Sequence, residues 1–195
     1  LLNDDDTGNH IKRVSEYSAL IADRAGMDHD FVHKIRLYSS LHDVGKVGIA
    51  DAILKKPGQY TKEEYIAMQS HVIIGARMLD NEEIDIMAKN IALYHHEKWD
   101  GGGYVNKLNK EKIPLEARIV TIADVYDALS SERPYRGAMD PDQVLQIIEE
   151  NSGSHFDPVV VDAFFEVIEQ DRKAQKALAL KVRPFPKQTP RKAEP

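Results

Sequence analysis

Apolar residues recur at helical spacing along most of the chain. From Asn9 to about Ala25 they are Ile11, Val14, Leu20 and Ile21, and Gly26 suits the stop. The polar residues 1–8 before them read as a loop leading into that helix. Asp28 is placed to cap a second helix through Phe31, Ile35 and Leu37 to Leu41. Residues 44–60 show no such period and end in Lys55-Lys56-Pro57-Gly58, so they read as irregular. Thr61, with Glu64 three residues on, has the pattern of a capping box and opens a long helix towards Leu79. Asn81-Glu82-Glu83 restarts a helix through Ile84, Met87, Ile91 and Leu93 to His96. Residues 97–113, with Gly101-Gly102-Gly103, form the longest irregular stretch, and a loop of that length inside a domain is usually functional or disordered. Pro114 suits the first turn of a helix through Ile119, Ile122, Val125 and Leu129 that stops before Pro134. Asp140-Pro141 and Asp157-Pro158 each open one more helix by the same cap-then-proline logic. No run alternates with period two, so the predicted fold class is all-α.

Composition narrows the picture. A chain of 195 residues has room for one domain with a real core. No stretch approaches the roughly 20 apolar residues of a membrane span. Cysteine is absent, which excludes disulfides and thiolate metal sites and is compatible with a cytoplasmic location. The net charge of −6 divides unevenly: residues 171–195 carry +6 and the rest −12. An acidic body argues against binding a nucleic-acid polymer. It does not exclude a small anionic ligand, since bound metal ions can be the largest local charges in a site. The expected organisation is a domain over 1–176 and a basic, proline-containing, disordered tail over 177–195. Leu1 in place of Met suggests a fragment or a processed chain.

The candidate chemistry centres on Leu41-His42-Asp43-Val44-Gly45-Lys46. Neutral imidazole with carboxylate suits Fe, Mn, Zn or Ni, and a carboxylate can bridge two metals. Lys46 could meet a phosphate as a point charge. His10 opens the first helix, His71 lies on the long helix, and His95-His96 end the fourth. Neighbours on a helix point about 100° apart, so two adjacent imidazoles can serve two adjacent metals. Asp124 lies among Ile122, Ala123 and Val125, where an unpaired carboxylate is costly. Bland readings stand beside these: His10 as a surface residue, His71 as a satisfied core histidine, Asp124 as a partner for Arg118. His29, His33 and His155 have no such setting and read as surface residues.

His42-Asp43 with Gly45-Lys46 resembles the signature of the HD hydrolase superfamily. The run His95-His96-Glu97-Lys98-Trp99-Asp100-Gly101-Gly102-Gly103-Tyr104 is similar to the extended motif of HD-GYP domains. So are Ile113-Pro114-Leu115-Glu116-Ala117-Arg118, Ile122-Ala123-Asp124-Val125-Tyr126-Asp127-Ala128-Leu129 and Arg133-Pro134-Tyr135-Arg136. The likeness runs in order from residue 6 to residue 168. It implies an HD-domain helical bundle of about seven to eight helices with a C-terminal extension. It also implies a bacterial cyclic di-GMP phosphodiesterase, giving pGpG and then GMP through a hydroxide that bridges two metals. By the resemblance, His42, Asp43, His71, His95, His96 and Asp124 hold the metal pair, with Asp43 shared and catalytic. His10 matches a further ligand, and Asp6 takes the place of the family's glutamate at a third metal. Lys46 would approach the scissile phosphate, and Arg133 and Arg136 the other phosphate and the guanine side. Gly103 and Tyr104 would border the substrate and form a loop that docks signalling proteins. The family also implies a sensory domain ahead of this one.

Mixed imidazole and carboxylate ligands in this number favour two or three divalent ions of Fe or Mn. Val105 stands where the naming motif has proline, and Lys107 and Lys110 stand where glycines usually follow. The alternatives are a catalytically weak module that binds cyclic dinucleotide for signalling, and a phosphodiesterase preferring another cyclic dinucleotide.

Overall fold

The structure is a computed structural model that describes residues 4–132 and 137–181, and side chains within 8–132 and 137–174. It is all-α. Among the described residues, the β contribution is a single isolated bridge between Ser152 and Phe156. The helices are α1 (Asp4–Arg24), α2 (His29–Tyr38), α3 (Asp51–Leu54), α4 (Lys62–Gln69), α5 (His71–Met78), α6 (Ile86–Tyr94), α7 (Leu115–Ser130), α8 (Pro141–Glu150) and α9 (Pro158–Lys181). Short 3₁₀ turns cover Ser39–Leu41, Val44–Gly48 and Lys110–Lys112. No helix is long and apolar enough to cross a membrane among the described residues.

The core is a layer where α1, α7 and α9 meet. Val14 and Ile21 of α1, Ile119 and Ile122 of α7 and Phe164 of α9 belong to one apolar cluster there, all fully buried. Ile148 of α8 and Ile35 of α2 belong to the same cluster. Burying a side chain of this size stabilises by about 1.5–3 kcal/mol, so these faces fix how α1 and α7 lie together.

Several helix starts follow their local chemistry. Asp28 accepts from the Phe31 amide at 2.8 Å, and Asp140 accepts from the Asp142 and Gln143 amides at 3.0 and 3.3 Å. The Thr61–Glu64 capping box is complete, with reciprocal bonds of 2.7 and 3.3 Å.

Five expectations change, one being that the helix expected to restart at Asn81-Glu82-Glu83 begins only at Ile86, behind Asp85, which accepts the Met87 amide at 2.9 Å. The first helix starts at Asp4, not near Gly8, so Asp6 sits in its opening turn, one turn before His10. The long helix expected over 61–79 breaks at Ser70, which ends α4 and leads α5. There the Ser70 hydroxyl donates to Ala67 O at 2.6 Å and the His71 ring to Met68 O at 2.7 Å. Side chains that bond back to helical carbonyls bend helices. The stretch 44–60 is not wholly irregular: it holds the 3₁₀ turn Val44–Gly48 and α3. Finally, α9 continues past residue 176 to Lys181, while 182–195 lie outside the described residues.

Candidate metal centre

His42 and Asp43 sit at the corner between two 3₁₀ turns. That corner presses onto α5 at a place only glycine permits. A Cβ on Gly45 would lie 1.9 Å from His71 O and 2.4 Å from Gly75 N. The close approach puts His71, first residue of α5, beside Asp43: His71 Nε2 is 3.4 Å from Asp43 Oδ1. His95 ends α6, and its Nε2 is 3.8 Å from the same oxygen. From the other side, His42 Nε2 lies 3.3 Å from Asp43 Oδ2 and 4.0 Å from Asp124 Oδ1 of α7. His10 of α1 brings its Nε2 to 3.6 Å from Asp124 Oδ1. The ring of His96 packs against His95 with centroids 4.1 Å apart.

The structure thus brings His10, His42, Asp43, His71, His95, His96 and Asp124 into one place. Six of the seven fall into two groups by their ligand atoms, Asp43-His71-His95-His96 and His10-His42-Asp43, with Asp43 in both, while Asp124 stands beside the second group, near His10 and His42. His95 and His96 fall in the same group rather than dividing between two. Asp124 does not pair with Arg118, whose guanidinium goes to Asp157 and to Ile113 O at 2.9 Å. His71 is buried, but its inward nitrogen is not satisfied by the core.

The rings are oriented by hydrogen bonds at their far nitrogens. Nδ1–H of His42, His71 and His95 donates to Ser39 O at 2.8 Å, Met68 O at 2.7 Å and Ile91 O at 3.0 Å. In the neutral ring Nε2 then carries the lone pair and points at the Asp43 carboxylate, the arrangement a metal requires. His42 Nε2, His71 Nε2, His95 Nε2 and Asp43 Oδ1 are all buried without a hydrogen-bond partner. Four such atoms converging would be costly in a dry core, and a cation satisfies all of them. The residues present fit a divalent metal centre on this ground alone.

Electrostatics agree at His71, His95 and His96. Burial, helped by the neighbouring His96 and His42, holds the His95 imidazole well below its ordinary value. Burial also lowers His96, to about 3, and lowers His71. These rings are neutral and ready to ligate at pH 7. At His42 burial opposes the charge, but the Asp43 and Asp124 carboxylates outweigh it and push the ring up to about 9. Burial of Asp43 is likewise outweighed by His42 and Lys46, which hold its carboxyl well below the usual range. Lys46 bonds Asp43 Oδ2 directly, at the half-buried rim.

The loop 97–113 borders this centre. The Tyr104 ring stacks on His96, 4.9 Å between centroids and 26° between planes. Gly103 lies flat on the chain below it: a Cβ there would be 2.5 Å from both Glu97 Cα and Lys98 N. Val105 is on the solvent side, and the Tyr104–Val105 peptide is cis. Lys107 and Lys110, where the related motif has glycines, adopt φ of 52° and 51°. Arg133 and Arg136 lie outside the described residues, and so does the side chain of Asp6.

Two residues with clear parts were missed. Glu97, 2% exposed, accepts the Asn106 amide at 2.8 Å and so ties the far side of the loop to the end of α6. Asp127, 3% exposed, accepts from His10 Nδ1 at 2.7 Å. Its signal was available, since it follows Asp124 by three on one helix and so shares its face. His155 is not a plain surface residue: its ring stacks on Phe156 at 4.4 Å, and its carbonyl receives the Trp99 amide at 3.1 Å. His29 and His33 are exposed.

Known proteins resemble this chain along most of its length. A Vibrio cholerae cyclic di-GMP phosphodiesterase is 44% identical, over 86% of this chain and 37% of its own length. The 3'3'-cGAMP-specific phosphodiesterase 2 of the same organism is 41% identical, over 83% of this chain and 31% of its own. The chain therefore spans well under half the length of these curated relatives. Among solved structures, Bd1817, an HDG"Y"P protein from Bdellovibrio bacteriovorus, superposes with a TM-score of 0.66 at 20% identity, covering 84% of this chain and 52% of that one. A family profile described as HD domain matches residues 2–160, around a centre in which His42 and Asp43 stand side by side, and the chain belongs to that HD-domain family.

Proposed function

We propose that this chain is a metal-dependent phosphodiesterase that hydrolyses cyclic di-GMP to pGpG and then to GMP. The observation that carries the reading is the convergence of three buried, unpartnered imidazole nitrogens on the Asp43 carboxylate, His71 and His95 at Oδ1 and His42 at Oδ2. Relatives named for cyclic di-GMP and for 3'3'-cGAMP supply the substrate class.

His42, Asp43, His71, His95, His96 and Asp124 would hold a pair of divalent ions, Fe or Mn by the mixture of imidazole and carboxylate, with His10 adding a ligand at the α1 side. Such a pair polarises a phosphoryl oxygen and activates water at neutral pH. The chain's own residues do the rest. Asp43, common to both ligand groups, spaces them. Lys46, beside Asp43 at the rim, offsets charge gathering on the phosphoryl oxygens. Tyr104, with one face on His96, walls the centre on the loop side and Gly103 seats it.

Arg133 and Arg136 are proposed to hold the second phosphate and the guanine side. Asp6, one helical turn before His10, is proposed to support a weaker third ion. The loop carrying Gly103 and Tyr104 is proposed as a docking surface for signalling partners. A cytoplasmic location and a sensory domain ahead of this one complete the proposal.

The test is hydrolysis by purified protein loaded with Fe(II) or Mn(II) without oxygen, with products separated by chromatography. Cyclic di-GMP should give pGpG, then GMP. Cleavage of 3'3'-cGAMP alone would move the assignment to that substrate. Binding of cyclic di-GMP without cleavage in the fully loaded protein would make the chain a binding module.

A further inference from the structure

The imidazoles of the centre are not all held alike. His42, His71 and His95 each lean on a backbone carbonyl of their own segment. His10 instead leans on a carboxylate: its Nδ1 is 2.7 Å from Asp127 Oδ2. Asp127 is 3% exposed and is itself clamped from the other side. Arg13, one turn after His10 on α1, donates Nη2–H to Oδ2 at 3.1 Å and Nε–H to Oδ1. The Ser131 hydroxyl lies 3.5 Å from Oδ1. Asp127 therefore has little freedom to leave His10. A carboxylate acceptor fixes the proton on Nδ1 and leaves the lone pair on Nε2, 3.6 Å from Asp124. It also makes that nitrogen a stronger donor than a carbonyl partner would, because the anion draws the Nδ1 proton towards itself and enriches the ring in electron density.

We propose that Asp127 is a positioning residue for His10 and sets the affinity of one metal ion only, the one within reach of His10, His42, Asp43 and Asp124. The inference rests on the metal-centre reading above. Asp127 touches neither metal nor substrate and acts through the His10 ring. The other ion, near His71, His95 and His96, has no carboxylate-backed ring that Asp127 reaches, so the two sites come apart when Asp127 changes.

The experiment is titration of metal-stripped protein with Mn(II), read by elemental analysis and electron paramagnetic resonance. Asp127→Asn keeps an oxygen that can accept from Nδ1–H and removes only the charge. It should weaken one Mn(II) site by about 10–100-fold and leave the other within about twofold. The spectrum of a coupled pair should give way to that of isolated Mn(II) at intermediate loading. Asp127→Ala should weaken the same site further. Equal loss at both sites, or no loss at either, would overturn the proposal, since a merely structural role has no reason to choose one site.

A second measurement needs no substitution. ¹⁵N spectra of the metal-stripped protein at pH 8 should show the His10 ring with its proton on Nδ1; a proton on Nε2 would also overturn the proposal. The outcomes separate from those of the functional reading. Two Mn(II) ions bound without cleavage of any cyclic dinucleotide would end that reading and leave this one standing. Cleavage that persists with both affinities unchanged in Asp127→Asn would do the reverse.

Discussion

At the metal centre each of His42, His71 and His95 is oriented by a carbonyl three or four residues back in its own segment. Across residues 97–113 the backbone is held from a distance. Glu97 reaches nine residues ahead to the Asn106 amide, and the Trp99 and Asp100 amides donate to His155 O and Ser154 O at 3.1 and 2.9 Å. The first arrangement orients its ligands by hydrogen bonds within a helix end. The Trp99 and Asp100 bonds of the second exist only once the turn leading into α9 has docked. The loop should therefore yield to substitution without disturbing the metals, whereas the corner at His42-Asp43 should not.

The largest effect should come from Asp43→Ala, which removes the one carboxylate common to both ligand groups. Metal content should collapse and turnover fall by about three orders of magnitude or more, some 4 kcal/mol of barrier. Far-UV circular dichroism should stay near that of the parent. Retention of both metals with near-normal turnover would refute the shared role.

Gly45→Ala asks whether the corner tolerates any movement. The added methyl would meet His71 O at 1.9 Å and Gly75 N at 2.4 Å, both backbone atoms that cannot swing aside. Overpacking of this kind typically costs about 1–3 kcal/mol, and urea denaturation should show the upper end. Metal affinity should fall with it, because the shift is transmitted to His71. A variant as stable as the parent would show the two segments are not pinned together.

Glu97→Gln tests the loop alone. Metal content should be unchanged, and the KM for cyclic dinucleotide should rise by a few-fold while the fold persists. Its stability effect has a defined sign. Burial raises the Glu97 pKa above the ordinary 4.5 despite bonds from the Asn106, Lys107 and Leu108 amides. The folded state thus holds that proton more tightly than the unfolded one, and stability is lost as pH rises from about 4.5 through the folded value. The parent's advantage over Glu97→Gln should be fully present below about pH 4.5 and shrink as pH rises towards neutrality. An advantage that grows with pH would mean the carboxylate is stabilised, not penalised, where it sits.

The smallest effect concerns Lys107 and Lys110, whose positive φ favours glycine. Lys107→Gly and Lys110→Gly should each stabilise by about 0.5–1 kcal/mol, the left-handed cost of about 1–2 less the entropy glycine adds to the unfolded chain. Thermal melts would check the sign, and a loss in both would rule the loop unstrained.

Legibility in the sequence follows the same division. Thr61 with Glu64, Asp28 and Asp140 announced helix starts, because a cap is a short-range bond between neighbours in sequence. The break at Ser70 was not legible, since residues 61–79 keep a helical pattern on both sides of it and the bend comes from side-chain bonds to Ala67 O and Met68 O. The helical start at Asp4 was hidden by its polar residues. The residues of the centre could be named because their types and order match a known motif, but their division into two groups sharing Asp43 needed coordinates. Glu97 and Asp127 escaped for a related reason: each acts on a partner that only folding brings near. Lys107 and Lys110 stood out as departures from glycine, and their backbone angles say why glycine is usual there.

The chain contains one tryptophan, Trp99, and it sits in the loop beside the centre with the Arg118 guanidinium 5.7 Å from its ring centroid. Arg118 also grips Asp157 at the start of α9 and Ile113 O at the far end of the loop. Intrinsic tryptophan emission therefore watches a single place, the junction of loop, α7 and α9. A neighbouring cation shifts an indole's colour, so sliding that junction should alter the emission wavelength with no label added. Stopped-flow mixing with substrate or metal could then time events at the loop separately from turnover, using light the protein already emits.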